Sequence, residues 1–283
     1  MAVKVVTDST ADLPDEVVKS LGITVVPLCI HFGEQTYFDG LDLRADEFYQ
    51  KLGQSESLPT TSQPAPAAFA EIYTRLSDEA DGIISIHISP KLSGTYNSAV
   101  LAREAAPEHC PIEIIDSCHA SMGLGLIVIQ AAMAAQSGGS LDDVKEVVRD
   151  VIPRTHFWGM VDTLEYLHKG GRIGRAQTLM GTLLSIKPLL CVKDGEVHPR
   201  GKARTRKKAM DRVLEIVQDF PDIEQMTVLH STTPDEAAAF IEKISPIFRG
   251  DKIYSARIGP VIGTYLGPGS LAVGIIEKGV RTC

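Results

Sequence analysis

The chain has 283 residues, 44% of them hydrophobic and 23% charged, with a formal net charge of −8. That balance predicts a packed core rather than disorder, and the acidity argues against a general nucleic-acid binder, whose affinity rests on neutralising phosphates. The length suits one large or two medium domains, and five scattered cysteines (Cys29, Cys110, Cys118, Cys191, Cys283) with no C-x-x-C pair read as reduced thiols in a cytoplasmic protein.

The first half alternates strand and helix patterns. Lys4–Thr7 is β-rich, Pro14–Leu21 helical, Ile23–Ile30 β-branched, Arg44–Leu52 helical and Ser55–Thr60 a loop. Pro64–Ala80 is a strong helix pattern, then come strand Gly82–Ile88, helix Ser93–Ala106 and strand Ile112–Asp116. An apolar helix follows from about Ala120 to Gln136. Its stretch Met122–Ala135 falls short of the roughly 20 residues of a membrane span, so a buried helix is expected and no membrane insertion. Such alternation implies an α/β fold, a parallel sheet flanked by helices, with ligands at the carboxyl ends of its strands.

Helix Leu141–Val151 and Pro153 mark an expected boundary, giving an α/β domain over 1–153 and a smaller α+β domain over 154–283. In the second, Thr163–Lys169 reads as a helix. Lys187–Val192 and Glu196–His198 read as a hairpin around Lys193-Asp194-Gly195. Thr205–Val217, Met226–His230, Pro234–Ile244, Lys252–Arg257 and Leu271–Ile276 continue as helix, strand, helix, strand, strand. The cleft between the domains is the expected binding site. Ile84, Ile86, Leu124, Ile127, Val128 and Ile186 are candidate pocket walls, with ordinary core packing as the stronger reading for each.

Two runs stand out, Thr61-Ser62-Gln63-Pro64 and Ser93-Gly94-Thr95-Tyr96-Asn97-Ser98. Each is a hydroxyl cluster where a helix is expected to begin, and helix N-termini carry unpaired N–H groups that favour anions. Either alone reads as an ordinary N-cap. Together with Asp8-Ser9-Thr10 they point to a small acidic ligand. The dense basic stretch from Arg200 to Lys208 reads as a solvated face, although Arg204 precedes the helix and faces a choice between solvent and cleft. The Gly-rich run from His168 to Arg175 reads equally as a solvated turn or as a phosphate- or partner-binding loop. Gly263 to Gly269 reads as a loop with special backbone angles, carrying Tyr265. No nucleophile elbow, Walker loop, zinc-protease or EF-hand motif is present, and the eight histidines lack metal-ligand spacing.

Taken together, these motifs resemble the DegV family. The match rests on Val6-Thr7-Asp8-Ser9-Thr10-Ala11-Asp12-Leu13, Thr61-Ser62-Gln63-Pro64 and Lys91-Leu92-Ser93-Gly94-Thr95-Tyr96. It continues through Val161 to Leu167, Gly170-Gly171-Arg172-Ile173-Gly174 and Gly263-Thr264 with Gly267-Pro268-Gly269. The resemblance implies a two-domain lipid carrier that holds one long-chain fatty acid, such as palmitate, in the interdomain cleft, with no other cofactor and no metal. Its carboxylate is expected on Thr61 and Ser93, with Ser62 and Gly94 adjacent. Some members act as the acyl-carrying subunit of a bacterial fatty acid kinase, whose separate ATP-binding subunit phosphorylates the acid. For that docking or phosphate contact, Arg172 and Arg204 occupy the comparable motif positions, and Tyr265 stands where the family commonly has His. Ala65 also replaces a Ser often seen after the T-S-Q-P run. The alternative is an acyl- or phosphoryl-transfer enzyme with a Ser nucleophile (Ser9, Ser93 or Ser117), for which His87 and His119 are the nearby bases.

Overall fold

The computed structural model describes residues 2–181, 186–220, 222–250 and 252–279. Cys283 lies outside them, and the other four cysteines are free thiols.

Strand β1 (Ala2–Asp8) runs into a 3-10 turn over Ser9–Ala11, which Asp8 caps by accepting the Thr10 N–H at 3.1 Å. Helix α1 (Asp15–Leu21) stops at Gly22, whose φ of 64° suits a residue without Cβ. The β-branched run that follows is split. β2 (Thr24–Val26) ends before Pro27, which cannot donate to a ladder, and β3 (Cys29–Phe32) begins a separate sheet with β4 (Gln35–Phe38). After α2 (Ala45–Gln54), β5 (Thr60–Ser62) joins the other edge of β3.

Thr61 and Ser62 are therefore strand residues, not helix caps. Helix α3 (Pro66–Ser77) starts later, with Pro66 in its first turn. It packs on β6 (Ala80–His87) and on α4 (Thr95–Arg103), which places it with the first sheet. β7 (Ile112–Asp116) completes that sheet, whose order β2-β1-β6-β7 is parallel throughout.

Helix α5 (Met122–Gln136) is apolar on nearly every side because both sheets cover it. It packs on β1, and also on the second sheet through Phe157, Leu229, Ala272 and Ile276. Helix α6 (Leu141–Val151) follows, closed by a Ser140–Asp143 capping box.

The second sheet opens with β8 (Thr155–Met160), a strand not expected from the sequence. Then come α7 (Glu165–Lys169), β9 (Lys187–Lys193) and β10 (Glu196–Ala203). The β9–β10 turn takes φ 51° at Asp194 and 77° at Gly195, as a two-residue hairpin requires. Helix α8 (Arg206–Gln218), β11 (Ile223–His230), α9 (Pro234–Ile244), β12 (Ile253–Arg257), α10 (Pro260–Leu266) and β13 (Leu271–Glu277) complete the chain. The strand order is β10-β9-β8-β13-β11-β12, mixed because only β11 and β12 run parallel.

Strand alternation gives this sheet two faces. Trp158 and Met160 point to the core under α8 and α9, while Phe157 points to α5. The stretch expected as a loop from Gly263 is helical as far as Leu266, so Tyr265 sits in the last turn of α10.

Candidate functional site

A cavity opens between the two sheets, with an empty space of about 640 Å³ including its mouth. Its walls come from both halves of the chain and are mostly apolar, among them Leu28, Ile88, Leu92, Phe157, Val192 and Leu266. A second void of about 390 Å³ shares Phe157, Val192, Val197 and Leu266 with it and continues over Gly159, Leu190 and Ala272. The two voids adjoin under the second sheet, and both are lined mostly by apolar side chains.

The mouth is polar. Strand alternation in β5 turns Thr61 inward, and its Oγ1 lies 2.6 Å from the Tyr265 hydroxyl. Gly170 lies flat against the Tyr265 ring, since a Cβ there would come within 2.5 Å of it. The turn at Gly171, φ 71°, brings Arg172 over the same ring at 5.0 Å. Arg172 is held by two carbonyls, donating from Nε to Leu92 at 3.2 Å and from Nη1 to Gly170 at 2.9 Å. Ser93, next to Leu92, shares a 2.9 Å hydrogen bond with Thr95 Oγ1, and its Oγ accepts the Thr95 N–H. Each of the pairs Thr61–Tyr265 and Ser93–Thr95 uses one hydroxyl proton internally, leaving a second for a ligand.

The structure thus gathers Thr61, Ser93, Arg172 and Tyr265 around one mouth. Ser62 is not among them. It points to the opposite face of β5, 2.9 Å from His31 Nε2. Gly94 is the N-cap of α4 and lies against Gln63, whose Oε1 would be 2.2 Å from a Cβ. Arg204 is exposed and does not line the cavity.

Among the candidate apolar walls the core-packing reading holds. Ile84, Ile86, Leu124, Ile127 and Val128 are fully buried in the core around α5, and Ile186 is half-buried away from the cavity wall. β6 is a central strand covered on both faces, so its isoleucines reach no open space.

Behind the cavity, Asp12 joins three of its walls. Its carboxylate accepts Gly259 N–H at 2.9 Å and the Ser121 hydroxyl at 2.5 Å, tying the 3-10 turn to the starts of α10 and α5. Burial is the main force pushing the Asp12 carboxyl well above its ordinary range, and Asp39 nearby adds to it. Burial likewise pushes Asp39 up to about 7, against hydrogen bonds from Ser9 and the Val261 N–H. Ser121 lines the cavity with φ 54° and ψ −148°, a conformation L-residues rarely hold. Composition and spacing give no sign of Ser121, because its place depends on contact with Asp12, 109 residues earlier.

Thr10, the other fully buried hydroxyl of the wall, is bonded to Asp8. Asp8 also meets His87 Nδ1 at 2.9 Å, and His87 Nε2 lies 2.7 Å from Ser85 Oγ, which accepts from Tyr73 at 2.9 Å. His87 is thus committed inside a buried chain. Ser9 accepts the Leu28 N–H, and Ser117 donates to the His87 carbonyl. Among the described residues, neither they nor Ser93 bond to an imidazole nitrogen. No group of three or more His, Cys, Asp or Glu among the described residues is arranged for a metal ion, and no described helix is long and apolar enough to cross a membrane.

The family model described as "Uncharacterised protein, DegV family" matches residues 2–278. The chain belongs to the DegV family. A DegV domain-containing protein of Caldanaerobacter subterraneus is 35% identical over 284 residues, covering 98% of this chain and 99% of that one. A fatty acid-binding DegV family protein from Thermus thermophilus superposes with a TM-score of 0.91 at 35% identity, over 98% of this chain and 100% of that one. A stearic acid-binding protein from Eubacterium ventriosum gives 0.90 at 28% identity, over 98% of each chain. The fold of this chain is that of the fatty acid-binding DegV structures.

Proposed function

We propose that this DegV protein binds one long-chain fatty acid as a non-enzymatic carrier, with the carboxylate at Thr61 and Ser93 and the acyl chain in the apolar channel. The observation that carries this reading is the polarity of the cavity. Hydroxyls with protons to spare and one guanidinium surround its mouth, and apolar side chains line the rest. A palmitate chain has about 14 methylenes, and burying them is worth on the order of 11 kcal/mol at about 0.8 each. Chain burial therefore supplies most of the affinity, and the hydroxyls fix orientation. In this reading 1–153 carries the carboxylate site and 154–283 closes the channel.

The same reading extends to presentation of the acid to an ATP-binding fatty acid kinase subunit. Arg172 is the supporting feature, being a half-buried cation at the mouth. Tyr265 donates a hydrogen bond but carries no positive charge at neutral pH, so attraction of a phosphoryl group falls to Arg172. The exposed Arg204 serves only a docked partner.

Native mass spectrometry of the purified protein, with extraction of its lipids, tests the reading. The expected result is one C14–C18 fatty acid per chain. A bare mass, and no uptake of added fatty acid by delipidated protein, would overturn it. Acyl-phosphate formation with a kinase subunit and ATP, lost in Arg172→Ala, tests the extension.

A further inference from the structure

The cavity wall holds two sets of polar groups that differ in depth and in partners. Thr61, Ser93, Arg172 and Tyr265 are half-buried at the mouth and bond to one another or to nearby main chain. Thr10 and Ser121 are 0% and 1% exposed and bond instead to the buried carboxylates of Asp8 and Asp12. Nothing in the mouth needs this deep pair, and an all-apolar wall would suit a plain acyl chain better.

Both sets are linked to helix α10, at its opposite ends. Asp12, which holds Ser121, meets the helix at Gly259, whereas Tyr265 lies six residues on, about 9 Å along the axis. An extended chain crosses that distance in about seven methylenes at ordinary C–C bond lengths.

We propose that the deep pair Thr10 and Ser121 receives a mid-chain hydroxyl, making hydroxylated long-chain fatty acids preferred ligands of this cavity; the inference rests on the fatty acid-binding reading above. A hydroxyl both donates and accepts. Thr10 donates its hydroxyl hydrogen bond to Asp8, which also faces His87 and the Ile88 N–H, so Thr10 offers lone pairs. Ser121 accepts from a ligand when its own O–H donates to Asp12, and donates to a ligand when a protonated Asp12 donates to it. Either state pairs with a ligand hydroxyl. The strained backbone at Ser121 keeps its hydroxyl between Asp12 and the cavity.

The test is competitive displacement of a fluorescent fatty acid from delipidated protein by stearic acid and by 2-, 10- and 17-hydroxystearic acid. In an apolar channel a hydroxyl without a partner weakens binding by about tenfold or more. The expected result is 10-hydroxystearate binding at least as tightly as stearate, with the 17-hydroxy isomer about tenfold weaker. Ser121→Gly, which accommodates the positive φ, and Thr10→Val are each expected to weaken 10-hydroxystearate relative to stearate by about tenfold. Stearate bound with 10-hydroxystearate tenfold weaker overturns the inference and leaves the carrier reading standing. So does a 10-hydroxy preference that survives in both variants. If neither acid binds, the carrier reading fails and this inference with it.

Discussion

The Tyr265 hydroxyl stands 2.6 Å from Thr61 Oγ1, joining the last turn of α10 to the edge strand β5 across 204 residues of sequence. This contact closes the mouth of the cavity between the two halves of the chain. It also leaves one of the two hydroxyl protons for an anion.

Single removal of either carboxylate hydroxyl is expected to be mild. Thr61→Ala leaves Tyr265, and Ser93→Ala leaves Thr95, so each loses about one hydrogen bond, worth roughly 1 kcal/mol or about fivefold in affinity. The double variant leaves only Arg172 and Tyr265 of the mouth's four polar groups and is expected to lose more than the product of the two. Isothermal titration of delipidated protein with palmitate measures this; unchanged affinity in the double variant would place the carboxylate elsewhere.

The far end of the channel has its own marker. Gly159 lies in the central strand β8 on the same face as Phe157, yet it is half-exposed. A Cβ there would meet Leu271 O at 3.0 Å and Ala272 Cβ at 3.1 Å on the neighbouring β13, so the position is tight for a side chain, and it lines the second void. Gly159→Leu must press on β13 or enter that void, and it is expected to shift co-purified lipid toward shorter chains by two or more carbons. Gas chromatography of the extracted acids reads the shift, and an unchanged length distribution would refute a tail over Gly159.

Asp39 links stability to pH. Its folded value of about 7 lies above the ordinary carboxylate range of about 3.9. Between these values the folded chain holds a proton that the unfolded chain has lost. Stability is therefore highest at the acid end of that window, falls as pH rises through it, and levels off above about 7. Asp39→Asn abolishes this slope, so its melting temperature relative to the parent should climb from pH 5 to pH 8. Paired thermal melts across that range decide the matter; a constant difference would mean that another group carries the titration.

The buried chain Tyr73–Ser85–His87–Asp8–Thr10 is expected to be structural. Removing His87 leaves both Asp8 and Ser85 short of a buried hydrogen-bond partner, at a cost of about 1–3 kcal/mol for each group left unsatisfied. His87→Leu should accordingly lower the urea midpoint strongly, whereas Tyr73→Phe, which deletes one neutral hydrogen bond to Ser85, should cost about 1 kcal/mol. Equal effects of the two would contradict the assigned roles.

The sequence by itself determined the α/β alternation, the parallel first sheet, the β9–β10 hairpin and the buried character of α5, because hydrophobic periodicity and turn residues act locally. It also marked Thr61, Ser93, Arg172 and Tyr265 through family motifs. Tertiary structure decided the rest. Pro27 breaks a single β-branched run into strands of two sheets, and this makes Thr61 a strand residue facing the cavity while Ser62 faces away. The true walls are residues such as Phe157 and Val192 rather than the isoleucines of β6, since an open channel exists only where two layers fail to touch. Ser121 and Asp12 are brought together by packing alone, and no local pattern encodes a contact across 109 residues.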